Sequence, residues 1–146
     1  MTQPTPPFDL SRFVSAQEGD YDIALAEIQS GRKRSHWMWY IFPQIDGLGF
    51  SPTARHFALK SLDEAKAYMA HPLLGPRLTR ICRALLALAG NDAEAIFGWP
   101  DVLKLRSSMT LFAAACPKEP VFAEVLAKFY GGEPDARTLE LLGLVK

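Results

Sequence analysis

Residues 31–51 gather more chemically capable side chains than any other part of the chain. The cations Arg32, Lys33 and Arg34 lead into His36, Trp37, Trp39, Gln44 and Asp46, and a Gly47-Leu48-Gly49 turn follows. Flat aromatic faces can stack a base and adjacent cations can meet phosphates, so this mixture suits a small phosphate-containing ligand. A second group, Lys104, Ser107 and Ser108, lies three and four residues apart, on one helical face beside an apolar stripe. A lysine there suits phosphate and the hydroxyls suit sugar or water. A third group, Arg55 and His56 just past the glycine turn, is the least specific. Arg32, Arg34, Trp37, Trp39, Gln44, Lys104, Ser107 and Ser108 are therefore the candidate ligand-binding residues. The candidates for catalysis are Asp46, exposed by the glycine turn, Asp101, which starts the Lys104 helix, and His36 as an acid or base.

Several chemistries have no motif here. There is no Gly-x-Ser-x-Gly, no P-loop and no Gly-x-Gly-x-x-Gly. His36, His56 and His71 lack metal-ligand spacing, and Cys82 and Cys116 have no near partner, so neither a metal nor a cofactor is expected. The sixteen basic and sixteen acidic residues cancel, which leaves no global field to hold nucleic acid or an anionic membrane. No apolar run approaches the roughly 20 residues that span a bilayer, and residues 1–7 do not read as a signal peptide. With two cysteines read as buried thiols, the expected location is cytoplasmic.

Elements must then be found to carry these groups. A length of 146 residues, 49% of them hydrophobic, suits one domain with a substantial core. Three prolines in residues 1–7 imply a flexible tail, with the domain over 8–146. Helices are expected over 8–16 and 21–30, the second capped by Asp20 and ended by Gly31, after which the cations also suit a helix C-terminus. Residues 37–42 show no 3.6 period and run into Pro43, so a short extended segment is expected. In that form Trp37, Trp39 and Ile41 share one face and Met38, Tyr40 and Phe42 the other, and at least one face is core. A helical turn starts near Pro52. Ser61-Leu-Asp-Glu64 is a capping box, and Leu74, Leu78, Ile81, Leu85 and Leu88 stripe a long helix whose Arg77, Arg80 and Arg83 face solvent. Asp92, Pro100, Pro120 and Asp135 open the remaining helices. The class is mainly α, a compact fold of about six or seven helices with one extended aromatic segment.

The motifs resemble a bacterial family known as domain of unknown function 1810. The resemblance is carried by Asp9-Leu-Ser-Arg12-Phe13, by the run from Gly31 through His36-Trp-Met-Trp39 to Gln44, and by Gly47-Leu-Gly49. It continues in His71-Pro-Leu-Leu-Gly75-Pro-Arg-Leu78, Phe97-Gly98, Asp101, Lys104, Ser107-Ser-Met-Thr-Leu-Phe112, Gly132, Asp135 and Thr138. It implies a helical fold and no assigned activity. A fainter likeness, in Lys104, Met109, Phe129, Gly132 and Thr138, runs to the NADAR proteins, N-glycosidases of ADP-ribose-type nucleotides; Arg55-His56-Phe57 stands where those proteins carry Glu-His-Tyr-Tyr-Gln. The function expected is hydrolysis of an N-glycosidic bond in an ADP-ribose- or nucleotide-derived molecule, through an oxocarbenium-like transition state that a carboxylate can stabilise. The alternatives are a non-catalytic nucleotide- or anion-binding module and, if a Trp/Met patch is exposed, a protein-interaction domain.

Overall fold

The computed structural model describes residues 8–144, so the expected tail over 1–7 lies outside the described residues. Ten helices occur among them, joined by short loops: α1 (Ser11–Gln17), α2 (Asp20–Gln29), α3 (Met38–Ile41), α4 (Pro52–Phe57), α5 (Leu62–Ala70), α6 (Leu74–Ala87), α7 (Ala93–Phe97), α8 (Asp101–Ala115), α9 (Val121–Tyr130) and α10 (Ala136–Leu141). The mainly helical class is as expected, but the count exceeds the expected six or seven. The surplus lies in short helices such as α3, α4 and α7, which span too few residues to show a hydrophobic period.

The fold is arranged around α8, which packs against α5, α7, α9 and α10. Leu105, Ser107, Ser108, Met109, Thr110, Leu111 and Phe112 are all buried, so its middle is enclosed on every side rather than along one stripe. The Leu74, Leu78, Ile81 and Leu85 stripe of α6 is buried as its spacing required. Gly75 allows α6 to cross α5 closely, since a Cβ there would fall 2.1 Å from the Met69 carbonyl oxygen. Arg77 departs from the solvent-facing expectation: it lies over the Tyr21 ring at 5.1 Å, and its Nη1 donates to Gln17 at 3.3 Å. The capping residues behave as their side chains dictate. Ser61 accepts from the Glu64 N–H, Asp92 from that of Ala95 and Asp135 from that of Thr138. Asp20 is instead the first helical residue of α2, and Gly19 precedes it in the left-handed region.

The expected extended segment over 37–42 is corrected. Ile41 N–H donates to the Trp37 carbonyl and Phe42 N–H to that of Met38, both at 3.1 Å, which makes one turn of helix. Pro43 ends it by driving Phe42 out of the helical region, to φ −125° and ψ 75°. With helical rather than alternating geometry, Trp37, Met38, Ile41 and Phe42 turn inward while Trp39 and Tyr40 are half-buried. The loop that follows is pinned by a parallel bridge between Ile45 and Leu59. The Leu59 N–H donates to the Gln44 carbonyl at 2.9 Å, and the Asp46 N–H donates to the Leu59 carbonyl at 2.8 Å. Cys82 is buried, Cys116 is half-buried, and both are free thiols.

Candidate functional site

The launching point of α3 is held by one carboxylate. Glu27, near the end of α2, accepts through Oε1 from the N–H groups of Arg34 and Ser35 and from Trp37 Nε1, and through Oε2 from the Ser35 hydroxyl. Burial pushes this carboxyl up, but those four donors prevail and hold it down at about 2. The anchor fixes Trp37 in the core, where only 1% of it is exposed. Two residues later Trp39 emerges at the surface.

Trp39 then meets the start of α8. The Lys104 ammonium lies 4.0 Å from the centroid of its ring, a cation–π contact. The same ammonium pairs with Asp101 Oδ1 at 2.9 Å, and Lys33 reaches Asp101 Oδ2 at 2.8 Å. Burial raises the Asp101 carboxyl and the two lysines outweigh it, so its pKa is lowered. Around this arrangement lies a pocket of about 280 Å³, near the lower edge of the roughly 300–1,000 Å³ typical of ligand sites. Trp39, Gln44, Leu48 and Gly49 form one wall, Pro100, Leu103, Lys104 and Ser107 the second, and Asp135 with Arg137 the rim. Gly49 permits that closeness: a Cβ there would sit 2.7 Å from that of Ala54 and 3.4 Å from the Trp39 ring.

The structure thus brings together Trp39, Gln44, Lys104 and Ser107 from segments some sixty residues apart. It does not bring the other candidates to this pocket. Asp46 faces outward and pairs with Lys60 at 3.4 Å. Asp101 stands behind Lys104, engaged by two lysines, and is not among the lining residues. His36 is exposed, and its carbonyl accepts from the Tyr40 hydroxyl at 3.2 Å. Arg34 is also exposed, its backbone N–H held by Glu27. Arg32 borders a different groove, with Lys33 and Glu94. Trp37 is core because its indole N–H finds Glu27 inside. Ser107 spends its hydroxyl on the Leu103 carbonyl at 3.2 Å, and the Ser108 hydroxyl is buried without a partner.

Two carboxylates of this region were not among the sequence candidates. Asp135 is the one carboxylate among the lining residues; its Oδ2 takes the Thr138 N–H and hydroxyl. The sequence marked it as a helix start and as part of the family resemblance, not as a site residue. Glu27 carried no signal, because its partners lie seven to ten residues later in a loop.

Fold and pocket define a helical protein with a small mixed polar and apolar pocket between α3, α8 and α10. Residues 7–142 match the family described as "Protein of unknown function (DUF1810)", and the chain belongs to that family. It is similar in structure to the conserved hypothetical protein Rv1873 from Mycobacterium tuberculosis, with 51% sequence identity and a TM-score of 0.92 over 96% of this chain and 100% of that one. No curated protein matches. Neither match is to a NADAR protein. Among the described residues, no helix is long and apolar enough to cross a membrane.

Proposed function

We propose that the chain binds a small phosphorylated ligand of mononucleotide size in the pocket beside Lys104. The observation that carries this is the Lys33–Asp101–Lys104 triad. One carboxylate holds two ammonium groups at 2.8 and 2.9 Å, so one positive charge is left uncompensated. The Lys33 side chain is only 8% exposed and that of Lys104 is 21% exposed, so the surplus charge is presented at Lys104. Arg137 adds a second cation at the rim, paired among the described residues only with exposed Glu140 at 3.2 Å, a contact of little strength in water. With Lys104 on one face of Trp39, the ring serves first as a platform for the cation rather than for a base. The pocket volume of about 280 Å³ suits a mononucleotide and would leave part of an ADP-ribose outside.

Hydrolysis of an N-glycosidic bond is the second reading, and Asp135 favours it. Asp101 and Asp46 are tied to lysines away from the pocket. Asp135 lines the pocket and commits only Oδ2 to the α10 cap. A carboxylate oxygen so placed can stabilise an oxocarbenium-like centre. Calorimetric titration with inorganic phosphate, ribose 5-phosphate, mononucleotides and ADP-ribose tests binding, and chromatography of the same mixtures tests for released base. Lys104→Ala should lose about 1.5–3 kcal/mol of affinity, and the loss should shrink at high salt. If no probe gives heat with folded protein, the interaction-domain alternative takes over, and exposed Trp99 and Phe50, 70% and 72% accessible, mark where to look.

A further inference from the structure

Two glutamines are buried among the described residues, and they are treated differently. Gln17, 1% exposed, donates through Nε2 to the Tyr40 carbonyl at 2.8 Å and to the Tyr68 hydroxyl at 2.9 Å, and its Oε1 accepts from Arg77 at 3.3 Å. Every polar atom of this buried side chain is thus partnered, as is usual for a structural amide. Gln44 is 8% exposed, and its Nε2 is buried with no hydrogen-bond partner among the described residues. Its backbone does not explain it: the Gln44 carbonyl is already engaged by Leu59, and an apolar side chain would leave that main-chain bond intact. An unpaired buried amide costs stability that an apolar residue of similar length would not. Gln44 lines the Lys104 pocket.

We infer that the Gln44 amide reads the base of a nucleotide whose phosphate lies on Lys104. An amide donates at its nitrogen and accepts at its oxygen. The partner that fits both ends presents an acceptor and a donor side by side on one planar edge. Nucleobases carry such edges, and glutamine pairs in this way with the N6 and N7 positions of adenine. Bare phosphate and sugar phosphates do not carry them. The pocket then has two ends, a cation for the phosphate and an amide for the base, with the apolar side chains of Leu48, Pro100 and Leu103 beside them. This inference rests on the binding function proposed above and adds the class of group that gives it specificity.

The test is calorimetric titration of the full chain with adenosine 5′-monophosphate, uridine 5′-monophosphate and ribose 5-phosphate, using wild type, Gln44→Met and Gln44→Glu. At least one nucleotide should bind wild type tenfold or more tightly than ribose 5-phosphate. Gln44→Met should bring that nucleotide down to the level of ribose 5-phosphate and leave ribose 5-phosphate itself unchanged. Gln44→Glu, which has no donor nitrogen, should lose the preference too, so the conclusion does not hang on one variant. Thermal melting gives a second readout, since Gln44→Met should melt no lower than wild type. Equal affinity of wild type for all three probes, or a nucleotide preference that survives Gln44→Met, would overturn the inference while leaving Lys104-dependent phosphate binding intact. A Gln44→Met variant that melts well below wild type would overturn it as well, by giving the amide a structural task. No binding of any probe would overturn both this inference and the binding function.

Discussion

Glu27→Gln is the sharpest test of how the site is positioned. The native carboxylate accepts from the Arg34 N–H at 2.7 Å, the Ser35 N–H at 3.0 Å, Trp37 Nε1 at 2.9 Å and the Ser35 hydroxyl at 2.5 Å. Glutamine keeps one oxygen as a neutral acceptor and sets an NH₂ group against the Ser35 hydroxyl. The fall of the Glu27 pKa from 4.5 to about 2 bounds the charge-dependent part at about 3 kcal/mol. Solvent screening at this partly exposed position reduces it to about 1–2 kcal/mol, the expected cost of the variant at pH 7. Because the folded-state pKa is lowered, the contribution is complete above pH 4.5 and is lost as the pH falls toward about 2. Urea melts should therefore show a gap between wild type and variant that narrows below pH 4.5. A variant as stable as wild type at pH 7, or a gap that stays constant into acid, would refute the anchoring role. The consequence reaches the pocket, because the turn that Glu27 holds is the one that launches Trp39.

Other expectations follow from burial. Leu78→Ala should cost about 2–5 kcal/mol in urea melts, since Leu78 is 1% exposed, whereas exposed Arg80→Ala should cost under about 0.5 kcal/mol. Gly75→Ala should cost about 3 kcal/mol, because its Cβ would fall 2.1 Å from the Met69 carbonyl oxygen and α5 and α6 would have to part; thermal melting measures it. Trp39→Leu removes the ring under Lys104 and should weaken phosphate-bearing ligands by about 0.5–2 kcal/mol. Titrations at two salt concentrations should find that loss nearly salt-independent, because the ammonium charge remains.

Local signals in the sequence carried much of the fold. Ser61, Asp92 and Asp135 cap helices because their short side chains can reach an N–H two or three residues on, and the leucine period of α6 named its buried face. Where tertiary contacts decide, the pattern was silent or misleading. Residues 37–42 look extended because aromatic residues and a proline dominate them, yet Glu27 and the core wrap them into one helical turn. Arg77 reads as surface by its place on α6, but Tyr21 and Gln17 from other helices enclose it. In the site, Lys104 and Ser107 were legible as a shared helical face, and Gln44 as part of the cationic and aromatic run over 31–51. Asp135 was not legible as a pocket residue, because only the packing of α10 beside α8 brings it there. Which tryptophan is core depended on an acceptor ten residues upstream, and no local period encodes that.

A nitrogen-resolved NMR titration of the wild-type protein with adenosine 5′-monophosphate addresses the central claim most directly. The pocket at Lys104 should shift the Trp39 indole and Gln44 side-chain amide signals in a saturable way, while the Trp37 indole, held by Glu27 in the core, stays in place. Shifts confined to the separate groove at Arg32 and Glu94, or no saturable shift at Trp39 and Gln44, would contradict the claim.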